Sequence, residues 1–394
     1  MSRKRISDKK GELMRRKKLK ICYFADPNSI HTQRWLRYFV EQGHEIHLIC
    51  SNKYDKRIPG VIHHDLIDNL NIKLHNVPKL EGIEWNIRAI SLVRNLTRKI
   101  CPDVVHAHFV TGQGHLAFLN GFHPLVITAW GSDINLYSNQ KFYERMLTRL
   151  TLKKADLITT PSRDLKNRMI NLGTSGDKIH IIQFGVDTKI FHPNYDISDF
   201  RQELGIKGKD KAILSPRWTR PHYNIDNVIR AFDLLRNDCK YLKLILINCL
   251  SQENYGSYLK DLVRGLQLEN ETIFIDQVEH KSMARLYNLA DVIVSIPNTD
   301  GTPVSVLEAM ACGCNIVACD VPSLREWIKD GQNGYLVNVN DIEEISHKIK
   351  YSLLMGTDER ERFISRNLNI IKEKANYYSN MKQMEDLYYS LVEI

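Results

Sequence analysis

No apolar run in this 394-residue chain approaches the ~20 residues needed to cross a bilayer. No hydrophobic signal segment follows the basic start, so a soluble, cytoplasmic protein is expected. The eight cysteines (22, 50, 101, 239, 249, 312, 314 and 319) never form Cys-x-x-Cys, which argues against a zinc ribbon or a disulfide scaffold. Most fall within apolar strand-like runs. Cys312-x-Cys314 with Cys319 is the only cluster, and it reads either as small buried residues or as thiol ligands. Internal repeats are lacking, and low complexity is confined to the basic N-terminus.

What is present is ordinary for a soluble globule: 43% hydrophobic and 26% charged residues. The length suggests two domains of roughly 180–200 residues, each large enough for its own core. The net charge of +9 says little about the globule, because residues 1–20 hold ten of the 55 Lys and Arg against Asp8 and Glu12. Such an arm (1–19) is poor in apolar residues and is expected to be disordered, free either to bind an anionic membrane surface or to remain a solvated tail. No basic stripe or aromatic-basic interleaving continues it, so no nucleic-acid partner is expected.

From Lys20 onward, apolar runs alternate with helix-like segments, the pattern of a parallel sheet covered on both faces. Strand candidates in the first half are Lys20–Ala25, Glu45–Cys50, Asn71–Val77, Asp103–His108, Pro124–Trp130, Asp156–Thr160 and Lys178–Phe184. The second half offers Lys211–Pro216, Tyr241–Asn248, Thr272–Asp276, Asp291–Ile296, Asn315–Cys319 and Gly334–Val337. Helical periodicity is expected over 31–42, 85–100, 141–154, 163–172, 226–237, 254–266, 280–290, 304–312 and 341–354. The fold class is therefore α/β, two doubly wound Rossmann-like domains facing a cleft. Ligands of such sheets bind beyond the carboxyl ends of the strands. Gly and Pro interrupt the rhythm between Gly185 and Pro193. The expected division is 20–192, 193–375 and a C-terminal helix within 376–394 that either crosses back onto the first domain or is an ordinary amphipathic terminus.

The segment Asp300–Cys314, DGTPVSVLEAMACGC, carries the most chemistry. It follows the strand candidate Asp291–Ile296, begins with turn residues and runs into a helix. Free amides and the positive end of that helix make an anion site. Asp300 and Glu308 bracket the loop, and ionised carboxylates accept hydrogen bonds from sugar hydroxyls. A phosphate site beside two hydroxyl acceptors suits a sugar nucleotide; a plain strand-loop-helix with two solvated carboxylates fits the spacing equally.

Asp300-x7-Glu308 followed by Ala309-Met310-Ala311-Cys312-Gly313 resembles the donor motif of the retaining GT-B glycosyltransferases of family 4, usually Glu-x7-Glu then Ala-Met-Ala-x-Gly. Asp300 stands in place of the first Glu. Gly185-Val186-Asp187 through Phe191-His192-Pro193 resembles the family's interdomain segment. The resemblance implies that Glu308 takes the ribose hydroxyls and that Asp300, with the amides of Gly301, Thr302, Pro303, Val304 and Ser305, takes the donor sugar. Arg217 matches a family arginine on the donor diphosphate. The Lys-Gly that usually follows is missing, and Arg220, with His222 behind it, is the candidate substitute cation. The alternative for Arg217 is a surface ion pair, and the same alternative stands for Arg220. The loop Asp276–His280, through Val278, would hold the base.

In the first half, His106 and His108 lie two apart at a strand end. By residues alone the pair reads as weak zinc ligands or as satisfied core histidines. The resemblance gives His108 a place at the donor sugar and reaction centre and leaves His106 structural. Trp130-Gly-Ser-Asp133 resembles the next strand-end motif, usually His-Gly-x-Asp, on the acceptor side. Ser29 and His31 occupy the first strand-helix loop, where relatives often carry Gly-Gly.

The expected activity is transfer of a sugar from a nucleoside diphosphate to a hydroxyl of a glycan or lipid-linked glycan, with retention. No metal and no other cofactor is expected, and the family scheme needs no protein nucleophile or general base. Surface polysaccharide or glycolipid assembly at the inner face of the cytoplasmic membrane is the expected setting. Two rivals share the architecture: a nucleotide-sugar epimerase, and a sugar-nucleotide-binding module without catalysis.

Overall fold

The computed structural model describes residues 16–50, 57–66, 81–137, 141–247, 253–276 and 278–392. Most of the basic arm and the strand expected at Asn71–Val77 lie outside the described residues. The first sheet holds β1 (Lys20–Phe24), β2 (Glu45–Cys50), β3 (Val61–Asp65), β4 (Val104–His108), β5 (Leu125–Thr128), β6 (Leu157–Thr160) and β7 (Ile179–Ile181). Their order is β3-β2-β1-β4-β5-β6-β7, all parallel. The second sheet holds β8 (Lys211–Ser215), β9 (Leu242–Ile247), β10 (Thr272–Ile275), β11 (Val292–Ser295), β12 (Asn315–Cys319) and β13 (Tyr335–Val337). Its order is β10-β9-β8-β11-β12-β13, again parallel.

Parallel strands are buried on both faces, which is why they read as continuous apolar runs. In β1, Ile21 and Tyr23 join one core while Cys22 and Phe24 join the core on the other face. Several elements escaped the sequence pattern, among them the short helices Ser198–Glu203 and Pro322–Arg325. The edge strand β3 is polar, and His64 in it stacks on His47 of β2. The helix Gln113–Asn120 begins beside Gly112 and Gly114, and a Cβ on Gly114 would sit 2.6 Å from the Phe109 carbonyl oxygen. The helix Thr357–Lys374 is largely polar. The expected strand Lys178–Phe184 shrinks to Ile179–Ile181.

Two crossings join the domains, and they run side by side. Val186 N–H donates to the Ala375 carbonyl at 2.6 Å, and Tyr377 N–H donates to the Val186 carbonyl at 3.1 Å. Gly185 has φ +69°, and a Cβ there would lie 2.6 Å from Tyr377 Cα, so only glycine fits. The helix Tyr377–Val392 then packs on the first sheet. Met381, Met384 and Tyr388 share a core with Tyr23 and Phe39, and the Tyr388 and Tyr23 hydroxyls pair at 2.9 Å.

The domains also touch across the mouth of the cleft. A Cβ on Gly301 would lie 2.5 Å from the Trp130 carbonyl oxygen, and one on Gly131 would lie 2.9 Å from Gly301 Cα. Beside this contact, Glu326 of the second domain accepts from Arg163 N–H (3.2 Å) and Asp164 N–H (3.1 Å) at the start of the helix Arg163–Asn171. A carboxylate on a helix N-terminus is favourable.

Candidate functional site

Strand order reverses between β1 and β4 in one sheet and between β8 and β11 in the other. Loops leaving such switch points diverge and open a crevice. Here the two crevices face each other around a cavity of about 510 Å³. One wall is aromatic (His31, Phe109, Trp130 and Phe184); the other is polar, with Arg220, His222, Asp300 and Thr302.

On the second-domain side, the β8 and β11 ends bring together residues far apart in sequence. Arg217 Nε donates to Ser295 Oγ at 2.8 Å, and its guanidinium forms an ion pair with Asp300. Burial opposes the Arg217 charge, but Asp300 beside it more than compensates and raises its pKa. Tyr223 lies under the guanidinium, 5.3 Å from ring centre to Cζ. Arg217, expected on the phosphate, and Asp300, expected on the sugar, thus stand as a coupled pair. Arg220 is exposed on the cavity rim, over the Trp218 ring. The loop that carries Arg220 is tied down by Asn224, whose amide donates to Ile296 O at 2.8 Å and Asn298 Oδ1 at 2.9 Å.

The helix Val304–Ala311 starts at Pro303 without a side-chain cap. Thr302 Oγ1 and Ser305 Oγ are buried there with no hydrogen-bond partner among the described residues. An unpaired buried hydroxyl costs about 1–3 kcal/mol, so these two are poised for a ligand. Glu308, one turn further on, is buried. It pairs with His280 Nε2 at 2.7 Å and accepts from the Tyr287 hydroxyl at 3.4 Å. Neither partner was expected. His280 stood in the quoted loop, but nothing in the spacing marked it as the group facing Glu308. Val278, expected at the base, is half-buried and packs on the second-domain core.

On the first-domain side His108, expected at the donor sugar, lies beneath the cavity surface. It is 2% exposed and absent from the cavity wall, lying among Tyr23, Trp35 and Trp130. Trp130, which stands where relatives carry a histidine, covers it. Its Nδ1 is 3.4 Å from Thr32 Oγ1, and its Nε2 has no partner among the described residues. His31 takes the cavity face instead, stacked on Phe184 at 4.5 Å and edge-on to Trp130. His106 is fully satisfied by Tyr388 and Thr128. Asp133 also departs from the expected acceptor-side role. Fully buried, it accepts N–H bonds from Val110 (2.8 Å), Gly131 (2.8 Å), Trp130 (3.1 Å) and Ile134 (3.1 Å), so it fixes the loop rather than facing a ligand. Burial raises its pKa while those four amides oppose the rise. Ser29 precedes the helix Ile30–Glu41 without capping it.

Burial lowers the His108 pKa to about 3, with the His31 charge adding to the effect, and lowers that of His106 well below 6.5. Both imidazoles are neutral at physiological pH, so neither delivers a proton as imidazolium. The folded pKa values are depressed, so stability is full above pH 6.5 and is lost as the pH falls toward the folded values. The expected loss is about 1.4 kcal/mol per pH unit for each such histidine. Urea midpoints should therefore drop steeply between pH 7 and pH 5. A flat profile would mean that these imidazoles take up protons in the fold.

A larger cavity of about 660 Å³ lies on the outer face of the second domain. Asp341, Glu343, Glu344 and Glu359 line it against the single cation Lys348 and His347, a wall of net negative charge that disfavours phosphate. None of the β8 or β11 loop residues that line the cleft belongs to it.

Two family models match the chain: "Glycosyl transferase 4-like" over residues 20–162 and "Glycosyl transferases group 1" over residues 196–369. N-acetyl-alpha-D-glucosaminyl L-malate synthase of Bacillus anthracis is 21% identical over 364 residues, covering 90% of this chain and 92% of that protein. Among solved structures, sucrose-phosphate synthase from Thermosynechococcus elongatus superposes with TM-score 0.78 at 16% identity, covering 95% and 99% of the two chains. Anabaena HepE, solved in complex with UDP and glucose, superposes with TM-score 0.75 at 17% identity, covering 94% and 100%.

Proposed function

The chain belongs to the family 4 glycosyltransferases of GT-B architecture, and from that premise we propose that it transfers a sugar from a nucleoside diphosphate to a glycan or lipid-linked glycan hydroxyl with retention. The observation that carries this reading is the set of unmet donors at the start of the helix Val304–Ala311: Thr302 Oγ1 and Ser305 Oγ. Thr302 lies in the loop that leaves β11, whose Asp300 pairs with Arg217, and Ser305 in the first turn of the helix. Uncommitted hydroxyls, a helix N-terminus and a guanidinium together suit a diphosphate with a sugar attached. The UDP bound to the Anabaena relative supports a nucleotide donor.

In this reading Arg217 and Arg220 offset the charge that grows on the leaving diphosphate, without a metal. Asp300 positions the sugar, and its pairing with Arg217 makes it an orienting group rather than a nucleophile. Glu308 holds the ribose hydroxyls, with His280 and Tyr287 setting its direction. The aromatic wall offers an acceptor sugar an apolar face. Catalysis is positional and electrostatic, inside a cleft closed to water.

Glu308→Ala tests the ribose assignment. Loss of a charged hydrogen bond costs about 1.5–3 kcal/mol, so affinity for the free nucleoside diphosphate should fall about ten- to a hundredfold. Calorimetric titration reads this directly, and an unchanged dissociation constant would remove Glu308 from the ribose.

A further inference from the structure

The helix Phe142–Lys154 on the first domain has two apolar faces where one would suffice. Thr148, Thr151 and Leu152 are buried against the domain. At helical spacing on the opposite side stand Phe142 (85% exposed), Met146 (52%) and Leu150 (41%), with Tyr143 (58%) beside them. Phe142 is the most exposed large hydrophobic side chain among the described residues. Scattered exposed apolar residues are normal, but a stripe at the outward pole of one helix is not.

Charge identifies what covers it. Arg145, Arg149 and Lys153 flank the stripe on one side and Lys154 on the other, with Lys141 just before the helix; all five are exposed. Glu144 is the one carboxylate from 141 to 154, and it accepts from the Tyr143 hydroxyl at 3.3 Å. Bulky apolar side chains at the outer pole with cations at their edges are the features of a helix lying in a membrane interface. Thirteen residues make a contact about 20 Å long.

We propose that this helix seats the first domain on an anionic lipid bilayer, Phe142, Met146 and Leu150 entering the headgroup boundary and the flanking cations meeting lipid phosphates. The surface is separate from the basic arm at 1–19, and it stands whatever the acceptor proves to be.

The test sediments the full chain with phosphatidylcholine vesicles, with and without phosphatidylglycerol. Salt is held at about 0.5 M, where a Debye length of ~4 Å suppresses purely electrostatic attachment. The native protein should pellet with the anionic vesicles. Combining Phe142→Ser, Met146→Ser and Leu150→Ser should lower partitioning about tenfold or more without lowering the melting temperature, since all three side chains are exposed. Deleting residues 1–15 should leave high-salt binding in place. Equal sedimentation of native and triple-Ser proteins would overturn the proposal, as would native protein that ignores the vesicles. A concentration-dependent dimer in sedimentation velocity that the triple variant loses would reassign the stripe to a second copy of the chain.

Discussion

Asp300→Asn should lower sugar transfer about a hundredfold or more while the affinity for free nucleoside diphosphate holds or tightens. The asymmetry follows from the pairing of Asp300 with Arg217, whose side chains are 11% and 10% exposed. The carboxylate stands where it can orient a donor sugar, yet it also competes with the diphosphate for the guanidinium. Asparagine keeps the shape and removes the charge, so the sugar loses its ionic acceptor and Arg217 becomes free for phosphate. Without nucleotide the variant carries an unpaired buried cation, a defect worth about 3–5 kcal/mol. It should therefore melt lower than the native protein and recover more than the native protein when nucleoside diphosphate is added. Calorimetry and initial rates on one preparation separate these effects. A variant that loses diphosphate affinity and turnover together would place Asp300 on the nucleotide.

Gly301→Val should leave nucleotide binding to the second domain in place and reduce transfer about a hundredfold or more, because an error of about 1 Å in placing the reacting groups is that costly. A Cβ at Gly301 would stand 2.5 Å from the Trp130 carbonyl oxygen and 3.1 Å from Gly131 Cα. Both obstacles are backbone, so neither can rotate away, and the two domains must stay apart. Small-angle scattering with nucleotide bound should then give a larger radius of gyration than the native complex. Gly356→Ala is the control, since a Cβ there meets nothing within 4 Å. Native turnover in Gly301→Val would show that the reaction does not need this contact.

The fold was legible because buried parallel strands leave apolar runs bounded by turn residues. Asp291–Ile296 announced β11, and the Gly-Thr-Pro turn after it announced the helix that follows. What could not be read was partnership. Arg217 and Asp300 are 83 positions apart and meet only because β8 and β11 are neighbours at the switch point. Glu308 and His280 meet across two helices with no shared motif. His108 looked like a cleft residue because its strand end does face the cleft; the Trp130 ring, bulkier than an imidazole, closes over it. Asp133 looked like a ligand group because an exposed carboxylate and one turned onto four amides have the same spelling. His31 and Phe184 stack although they come from opposite ends of the first domain.

The most direct test of the central claim is the anomeric proton spectrum during turnover of nucleoside diphosphate sugars with a glycan acceptor. The account predicts release of nucleoside diphosphate and a first-formed glycoside whose anomeric coupling matches that of the donor. An inverted coupling would contradict retention, and an epimerised donor formed without acceptor would contradict transfer itself.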